Sequence, residues 1–296
     1  MSEGVPSCGH ADLHVHSSAS DGQLSPAEVV SLAASKGVAV LSLTDHDSTE
    51  GVEEAIAAAR SLPLFVIPGV ELNAQTPHGE AHILGYFVDP QDRLLLRRLN
   101  ERRNVRGRRA ELMLRRLAGI GYKLSLSRLQ EIAEGGSIGR PHVARALVEA
   151  GYVQDVEEAF RRLIRKGAPG YVPTPVLSAA EAIAWVIEAG GIPTLAHPIQ
   201  ITQAVNGLVK SGLQGLEVYY GAYSGEDMAF LAGLADSFGL LRTGGSDFHG
   251  PSILSSAELG NVSLPWQDVE RLLRLRRQGP RRRATGLQPG RGQIAV

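Results

Sequence analysis

The 296-residue chain contains a single cysteine, Cys8, so it cannot form an internal disulfide bond. A protein without disulfides suits a reducing compartment. The sequence also lacks a run of about 18 apolar residues, the length that a membrane-spanning helix needs, and it does not open with a basic segment followed by an apolar one. We therefore expect a cytoplasmic protein without a membrane span or a signal peptide.

Several other signals are also missing. The formal net charge is only −1, which gives no overall attraction to nucleic acid or to membranes. The chain has no closely spaced cysteines of the kind that form a structural zinc site. It contains neither a P-loop nor a G-x-S-x-G motif. These absences argue against a P-loop nucleotide hydrolase and against a serine hydrolase of the nucleophile-elbow type.

What the chain does contain is an alternation of strand and helix signals near both ends. "SPAEVVSLAASKG" predicts a helix with Ser25 as its N-cap, Pro26 in its first turn and Gly37 after its last turn. The strands predicted around it are "DLHVH", "VAVLSLTDHD" and "LFVIPGVEL", and later "IPTLAHP", "GLEVYY" and "LRTGGSDFH". Further helices are predicted near 49–61, 178–189, 202–210 and 226–238. Repeated βα units favour a parallel sheet covered by helices, most simply a TIM-like barrel.

The middle of the chain, about 94–166, shows helix signals only. Its first helix carries a row of arginines with few acids: Arg97, Arg98, Arg102, Arg103, Arg106, Arg108 and Arg109. Such a row is either a solvated helix face or a set of phosphate contacts. We therefore predict a barrel in two parts, 11–93 and 171–277, interrupted by a helical insertion at 94–170 that caps the substrate. A disordered basic tail, 278–296, follows.

Residues of metal-ligand type collect at the predicted strand ends. His14 and His16 lie on the same side of the first strand because the side-chain period of a strand is two. The others are Asp21, Asp45, His46, Asp47, Glu71, His82, His197, Asp247 and His249. Strand ends in a βα barrel share one rim, so these side chains are expected to converge and to hold two or three ions. Mixed nitrogen and oxygen ligands favour Mn²⁺, Fe²⁺ or Zn²⁺ over Mg²⁺ or Ca²⁺.

The motifs "DLHVHSSASDG", "LTDHD", "PGVEL", "HILGY", "AHP" and "GSDFH" occur in an order that resembles the PHP (polymerase and histidinol phosphatase) superfamily, from about Ala11 to Trp266. The stretch "SIGRPHVARALVEAGYV" resembles one branch of it, the nucleoside 3′,5′-bisphosphate phosphatases, also described as 5′-to-3′ exonucleases on short RNA. The resemblance implies a distorted seven-stranded β/α barrel with a metal cluster at its rim. It assigns His14, His16, Glu71 and Asp247 to a first ion, Asp21, His46 and His249 to a second, and Glu71, His82 and His197 to a third. A histidine occupies the position of Asp21 in some relatives, and the carboxylate here favours manganese.

A two-metal site stabilises the attacking and leaving oxygens of phosphoryl transfer. We expect a metal-bound hydroxide as the nucleophile, with His197 or a metal-bound water giving a proton to the leaving alkoxide. Arg140 and His142 of "GRPH" are expected to add charge to a helix start that binds a second phosphate; the alternative is an ordinary helix start. Asp45 is the third residue that we predict to bind the substrate.

The predicted activity is therefore hydrolysis of nucleotide phosphate monoesters, with short 5′-phosphorylated RNA as a further substrate and no obligate protein partner. Two alternatives stay open. One is a phosphatase for a smaller molecule such as histidinol phosphate, against which the arginine-rich insertion argues. The other is a non-enzymatic RNA-binding module using the basic helix and tail, which would not require a complete set of ligands.

Overall fold

The computed structural model describes residues 9–133, 138–173, 176–251 and 258–278, so Cys8 and the predicted tail beyond 278 lie outside the described part. Seven strands form one sheet in chain order. Their bounds are β1 His10–Val15, β2 Val38–Leu43, β3 Phe65–Thr76, β4 Gly79–Tyr86, β5 Ile192–Leu195, β6 Gly215–Tyr220 and β7 Leu241–Gly245. The sheet curls until the N–H of Asp247 donates to the carbonyl of His14 at 2.8 Å, and the N–H of His16 to that of Phe248 at 2.9 Å. These contacts nearly close a barrel.

Helices cover the outside of this barrel. Before β5 the chain forms α1 Pro26–Ser35, α2 Val52–Ala59, α3 Arg93–Gly119, α4 Leu126–Ile132, α5 Arg140–Glu149, α6 Val156–Ala159 and α7 Ala179–Glu188. After β5 come α8 Val205–Lys210, α9 Gly225–Phe238 and α10 Trp266–Gln278. The α/β barrel expected from the sequence is confirmed. Within the described ranges, no helix has both the length and the apolar character needed to span a bilayer.

The first helix begins and ends where the sequence predicts. The hydroxyl of Ser25 accepts a hydrogen bond from the N–H of Glu28 at 3.3 Å, and the Glu28 carboxylate accepts one from the N–H of Ser25 at 2.8 Å. Pro26 occupies the first turn, where its missing N–H leaves no helical bond unmade. Gly37 follows the helix with φ of +75°, a backbone angle that favours glycine. The predicted capping signals are confirmed.

The sheet is not wholly parallel, which corrects the sequence prediction. β4 pairs in antiparallel fashion with both β3 and β5. A two-residue turn joins β3 to β4, and the hydroxyl of Thr76 accepts from the N–H of His78 at 3.1 Å and donates to the carbonyl of Gly79 at 3.0 Å. Such a turn leaves no room for the helical crossover that parallel neighbours require.

This hairpin changes how two predicted ligands reach the rim. Glu71 does not end its strand, because β3 continues as far as Thr76. His82 lies near the start of β4, and since β4 runs in the reverse direction its first half is the part that reaches the rim. In the antiparallel register Asn73 faces His82, which places the Glu71 side chain diagonally across from His82 on the same face. The two residues converge through an antiparallel pairing and not through parallel strand ends.

The 27-residue helix α3 connects the barrel to a second hydrophobic core. Leu95 and Leu99 near its start pack into the core between the sheet and α7. Met113 and Leu117 near its end pack against α4, α5 and the segment after α6. Between them the buried stripe continues through Arg102 and Arg106, which are 9% and 8% exposed, whereas the other arginines of the row are partly or fully exposed. The row is therefore neither a uniformly solvated face nor a uniform binding surface.

Candidate metal centre

A first group of ligand atoms lies where β1, β3 and the end of β7 meet. It consists of His14, His16, Glu71 and Asp247, with one ligand atom of each within 4.8 Å of the others. Nε2 of His14 lies 3.4 Å from Oε2 of Glu71 and 3.3 Å from Oδ1 of Asp247. Nε2 of His16 lies 3.1 and 3.2 Å from the same two oxygens. These are the four residues predicted for the first ion.

A second group surrounds the carboxylate of Asp21. It consists of His16, Asp21, His46 and His249. Oδ1 of Asp21 lies 3.4 Å from Nε2 of His249 and 3.8 Å from Nδ1 of His16, and Oδ2 lies 3.8 Å from Nε2 of His46. The sequence predicted three of these residues together, and the structure adds His16. Because His16 presents one ring nitrogen to each group, its ring separates the two.

The third group consists of His46, Glu71 and His82. Oε1 of Glu71 lies 2.7 Å from Nδ1 of His82, and Oε2 lies 3.0 Å from Nδ1 of His46. His197, which was predicted as a ligand here, stands at the edge of this group with its Nε2 3.7 Å from Oε1 of Glu71. Glu71 thus belongs to two groups, as a carboxylate that bridges neighbouring ions must.

Several buried polar atoms of the cluster lie close to one another but form no hydrogen bond. The buried atoms with no hydrogen-bond partner among the described residues include Nε2 of His14, both ring nitrogens of His16, Nδ1 of His46 and Oε2 of Glu71. Each buried polar atom left unpaired costs about 1–3 kcal/mol. Divalent cations bind imidazole nitrogen and carboxylate oxygen together. The residues present therefore fit metal ions.

The charges of the cluster depend strongly on one another. Burial acts to raise the pKa of Glu71, but the neighbouring His46, His14 and His82 lower it well below its usual range. Burial acts to lower the pKa of His16, but Asp247 and Glu71 outweigh it and raise that pKa to about 10. The low pKa of Glu71 and the high pKa of His16 favour an ionised carboxylate beside protonated imidazole when no metal is bound. Bound cations would replace those protons.

One buried carboxylate that orients this cluster was missed at the sequence level. Glu217 of β6 is fully buried. Its Oε1 lies 3.0 Å from Nδ1 of His14, and its Oε2 accepts a hydrogen bond from the backbone N–H of His197 at 2.7 Å. The contact fixes the ring of a ligand histidine and also holds His197, whose backbone φ is +29°. The available signal was a lone carboxylate inside the apolar strand "GLEVYY".

Asp45 holds the loop after β1 and does not line the cavity described below. Its Oδ1 accepts hydrogen bonds from the N–H of Ser17 at 2.8 Å and from the hydroxyl of Ser20 at 2.6 Å. Its Oδ2 accepts a third from the hydroxyl of Ser17 at 2.7 Å. Both oxygens are occupied and the residue is buried. The structure thus shows Asp45 supporting this loop, and its contact with substrate stays a prediction.

The metal groups open into a cavity of about 390 Å³ between the barrel and α3, α5 and the segment after α6. Part of the lining, called here the metal end, consists of Asp21, His46, His82 and His249. Another part, called the basic end, consists of the cationic side chains Arg102, Arg106, Arg109, Arg140 and Lys166, with Phe160 and Tyr171. A volume of this order is typical of small-molecule sites, roughly 300–1,000 Å³. Cations that share one cavity with a metal centre suit a substrate with more than one anionic group.

The two predicted anchors in "GRPH" differ in the structure. Nη2 of Arg140 lies 3.7 Å from Oε1 of Glu80, and its guanidinium lies 5.8 Å from the ring centre of Phe160. Nδ1 of His142 accepts a hydrogen bond from the N–H of Gly139 at 2.9 Å, and burial lowers the pKa of His142 to about 4. His142 therefore caps the start of α5 as a neutral ring, which corrects the expectation that it adds positive charge.

The family model of the PHP domain matches residues 12–165. A 3′,5′-nucleoside bisphosphate phosphatase from Chromobacterium violaceum is 36% identical over 278 residues, which cover 89% of this chain and 98% of that protein. The chain belongs to the PHP family. A 5′-3′ exoribonuclease Rnm from Escherichia coli is 34% identical over 253 residues, which cover 81% of this PHP chain and 85% of the relative.

Solved structures agree with this assignment. An amidohydrolase from Chromobacterium violaceum, solved with bound sulfate and no metal, gives a TM-score of 0.81 at 35% identity, covering 89% of this chain and 96% of that one. A protein from Bifidobacterium adolescentis, named for an inferred metal-dependent phosphoesterase activity, gives a TM-score of 0.83 at 30% identity. The match covers 90% of this chain and 96% of that one. The predicted resemblance to the PHP family is confirmed.

Proposed function

We propose that this PHP protein is a metal-dependent phosphatase that hydrolyses phosphate monoesters of nucleotides, converting a 3′,5′-nucleoside bisphosphate to a nucleoside monophosphate and phosphate. The proposal rests on one observation: metal-ligand groups and arginines occur together around one cavity. Three overlapping groups of nitrogen and oxygen ligands border the cavity, and several arginines line it. The relative named for this activity is matched over 98% of its length.

Removal of nucleotides from the 5′ end of short RNA is the wider form of the same activity. A chain of nucleotides would present the phosphodiester that follows its first nucleotide to the metal end and its 5′-phosphate where the bisphosphate has its second phosphate, so that hydrolysis by water releases a nucleoside 5′-monophosphate. The relatives named 5′-3′ exoribonuclease, from Escherichia coli and Haemophilus influenzae, support this extension. A smaller substrate with a single phosphate would contact few of the cationic side chains that line the cavity.

Two or three divalent ions held by the three groups would act as Lewis acids on the phosphate and lower the pKa of bound water. We favour Mn²⁺ over Zn²⁺ and Fe²⁺ because all three groups contain carboxylates besides histidines and lack cysteine. Asp247 carries the charge of the first group, Asp21 that of the second, and Glu71 links the first to the third. Loss of any of these carboxylates would leave histidines without their counter-charge.

His197 is the histidine best placed to hold a proton for the leaving oxygen. Its side chain is 29% exposed, more than that of His46 at 11% or His82 at 19%, so its ring is the most open to solvent of the three. Glu217 holds its backbone N–H, and Glu71 lies 3.7 Å from its Nε2. It therefore stands beside the ligand groups without being enclosed by them, as a proton donor to a departing alkoxide requires.

Arg140 is the proposed contact of the second phosphate. Its side chain is 28% exposed, it lines the cavity, and its long 3.7 Å contact with Glu80 leaves donors available. Glu80 itself is ionised, since hydrogen bonding to His82 lowers its pKa to about 2. A phosphate with a higher charge than a carboxylate would compete for the guanidinium.

The test is a substrate panel. Purified protein is assayed with Mn²⁺ on adenosine 3′,5′-bisphosphate, AMP, histidinol phosphate and 5′-phosphorylated short RNA, and again after chelation. The proposal predicts the highest kcat/KM on the bisphosphate or RNA and no turnover after chelation. A preference for histidinol phosphate would favour the small-molecule alternative. RNA binding without turnover of any substrate would favour the non-enzymatic one.

A further inference from the structure

Tyr220, the last residue of β6, contacts a carboxylate of the first metal group. Its hydroxyl donates a hydrogen bond to Oδ2 of Asp247 at 3.1 Å. The other oxygen of that carboxylate, Oδ1, lies 3.3 Å from Nε2 of His14 and 3.2 Å from Nε2 of His16. The two oxygens of Asp247 therefore have different surroundings, because one faces the ligand histidines and the other faces a phenol.

The backbone of β6 explains how the side chain of Tyr220 reaches this position. In a regular strand, residues three apart point to opposite faces, yet Glu217 and Tyr220 both contact residues of the first group. The pairing with β7 gives the reason. Glu217 pairs with Thr243 and Tyr219 with Gly244, so two steps along β6 match one step along β7. Such a bulge adds one residue to a strand and redirects the side chains beyond it.

The ring of Tyr220 is held by contacts on two segments of the chain. Its centre lies 5.0 Å from that of the Tyr223 ring, edge to face, and 5.7 Å from that of the His197 ring. The N–H of Tyr223 donates to the carbonyl of Tyr220 at 3.0 Å, and the hydroxyl of Tyr223 accepts from the N–H of Ile199 at 3.1 Å. The ring is thus packed between the turn after β6 and the segment after β5, with its hydroxyl directed at Asp247.

The main chain of Asp247 is fixed, but its side chain needs a separate restraint. Its backbone has φ of +54°, which a non-glycine residue adopts only where its surroundings hold it. The hydrogen bond from its N–H to the carbonyl of His14 leaves the carboxylate free to rotate. The hydrogen bond from Tyr220 restricts that rotation and occupies Oδ2, while Oδ1 stays toward the histidines. Metal-ligating carboxylates are commonly oriented by hydrogen bonds of this kind.

We propose that Tyr220 is a positioning residue of the metal centre, which holds the Asp247 carboxylate so that Oδ1 is its metal-binding oxygen. With Glu217, which contacts His14, it makes β6 a support for two ligands of the first ion, although no residue of this strand belongs to the three ligand groups. The proposal rests on the metal centre of the proposed function and not on its substrate.

The first test measures metal binding. Chelated protein is titrated with Mn²⁺, and the free ion is followed by electron paramagnetic resonance, for wild type, Tyr220→Phe and Tyr219→Phe. Tyr219 is the matched control, because its hydroxyl donates to Oδ2 of Asp268 at 3.3 Å, a carboxylate outside the ligand groups. We expect Tyr220→Phe to weaken the binding of one Mn²⁺ about 10- to 100-fold, the usual cost of losing a hydrogen bond that orients a metal ligand. Tyr219→Phe should bind Mn²⁺ as the wild type does.

Thermal unfolding separates positioning from a general loss of stability. Each phenylalanine variant loses one hydrogen bond from a tyrosine to an aspartate, so the two metal-free proteins should have similar Tm values. Added Mn²⁺ should raise the Tm of Tyr220→Phe less than that of Tyr219→Phe, because a ligand that binds more weakly stabilises the folded protein less. Unchanged Mn²⁺ affinity in Tyr220→Phe, or an equal loss in both variants, would overturn the proposal.

A second test asks whether the effect passes through Asp247. In an Asp247→Ala background, Tyr220→Phe should not weaken Mn²⁺ binding further, since the carboxylate that it positions is gone. A further loss of the same size would overturn the proposal.

Activity distinguishes this proposal from the proposed function. The Mn²⁺ concentration that gives half-maximal kcat should rise in Tyr220→Phe by the same factor as the dissociation constant, and excess Mn²⁺ should restore turnover. A loss that excess Mn²⁺ does not restore would overturn the assignment as a positioning residue. If the wild type binds Mn²⁺ but hydrolyses no nucleotide, the proposed function fails, while the titration still decides the role of Tyr220. If the wild type binds no Mn²⁺, both fail.

Discussion

The two ends of the cavity are built in different ways. At the metal end, the ligands follow or lie within β-strands. The backbone around them is hydrogen-bonded, for example where the N–H of Asp247 donates to the carbonyl of His14. At the basic end, long side chains extend from α3 and α5, whose positions depend on the core around Met113 and Leu117. Strand position decides the first arrangement, and helix packing decides the second.

This difference has a chemical counterpart. The side chains of the metal end are short and buried, and their charges act on one another. Removal of one is therefore expected to change the pKa and the metal binding of the others. The arginines of the basic end contact separate partners: Arg106 contacts Asp47, Arg140 contacts Glu80, and Arg109 donates to the carbonyl of Val172. We therefore expect changes at the metal end to affect every substrate and changes at Arg140 to affect only some.

The largest effect is expected for Asp247→Asn. Loss of this charge removes the carboxylate that both His14 and His16 face, so the first metal should bind weakly and kcat should fall by more than about 100-fold on all substrates, beyond what loss of a merely orienting group costs. Metal content and kcat are measured together. Asp236→Asn, on an exposed ion pair with Arg242, is the control. Near-normal kcat and metal content in Asp247→Asn would contradict the assigned site.

Arg140→Ala should show the selectivity of the basic end. The kcat/KM for adenosine 3′,5′-bisphosphate is expected to fall about 10- to 150-fold, the range for a lost charge-assisted contact, while that for AMP stays nearly unchanged. The quantity measured is the ratio of the two kcat/KM values. An equal fall for both substrates would place Arg140 at the reacting phosphate, and an unchanged ratio would make "GRPH" an ordinary helix start.

Glu217→Ala should weaken metal binding without touching a ligand. Removal of a carboxylate that orients a ligand histidine typically costs about 10- to 100-fold in metal affinity. Glu217→Gln keeps an oxygen that can accept from the N–H of His197 and should lose less. Titration of the chelated protein with Mn²⁺ gives both affinities. Equal, wild-type affinity in the two variants would show that the contact with His14 is dispensable.

The smallest effect on the metal centre is expected from the core of the helical segment. Leu117 is fully buried there, and Leu117→Ala should lower the free energy of unfolding by about 2–5 kcal/mol. Because the strands, not this core, position the ligands, metal content should be retained. Chemical denaturation and elemental analysis test both parts. Loss of metal in a folded Leu117→Ala protein would contradict the separation between the two ends.

The same contrast explains what the sequence could predict. His14 and His16 were readable because a strand alternates its side chains, and most of the remaining ligands because they stand next to strand signals. Glu217 was not readable, since it contacts His14 across 203 positions of the chain. The antiparallel pairing of β4 was not anticipated, because the pattern of strand and helix signals predicted no strand between "LFVIPGVEL" and "IPTLAHP". The hydrogen bonds that Asp45 accepts were not readable either, because their donors, Ser17 and Ser20, lie in the loop after β1 and far from Asp45 in the sequence.

At the basic end, the arginine row predicted charge but not which members would be buried. A period of 3.6 residues places Arg102 and Arg106 on the same stripe as Leu95 and Leu99, yet the charge on them obscures that stripe. Three expectations remain predictions. They are the division of the chain into barrel, insertion and tail, the cytoplasmic location, and the lack of an obligate protein partner. Most of the predicted tail lies outside the described residues.

The central claim is that ions held by the strand-end cluster drive hydrolysis in this cavity. The most direct test removes metal by chelation, restores Mn²⁺ stepwise, and measures metal equivalents and kcat on adenosine 3′,5′-bisphosphate in the same samples. We predict no turnover in the chelated protein and a return of activity that requires more than one equivalent, because the overlapping ligand groups exceed what a single ion uses. Full activity in chelator, with less than half an equivalent of metal bound, would contradict the account.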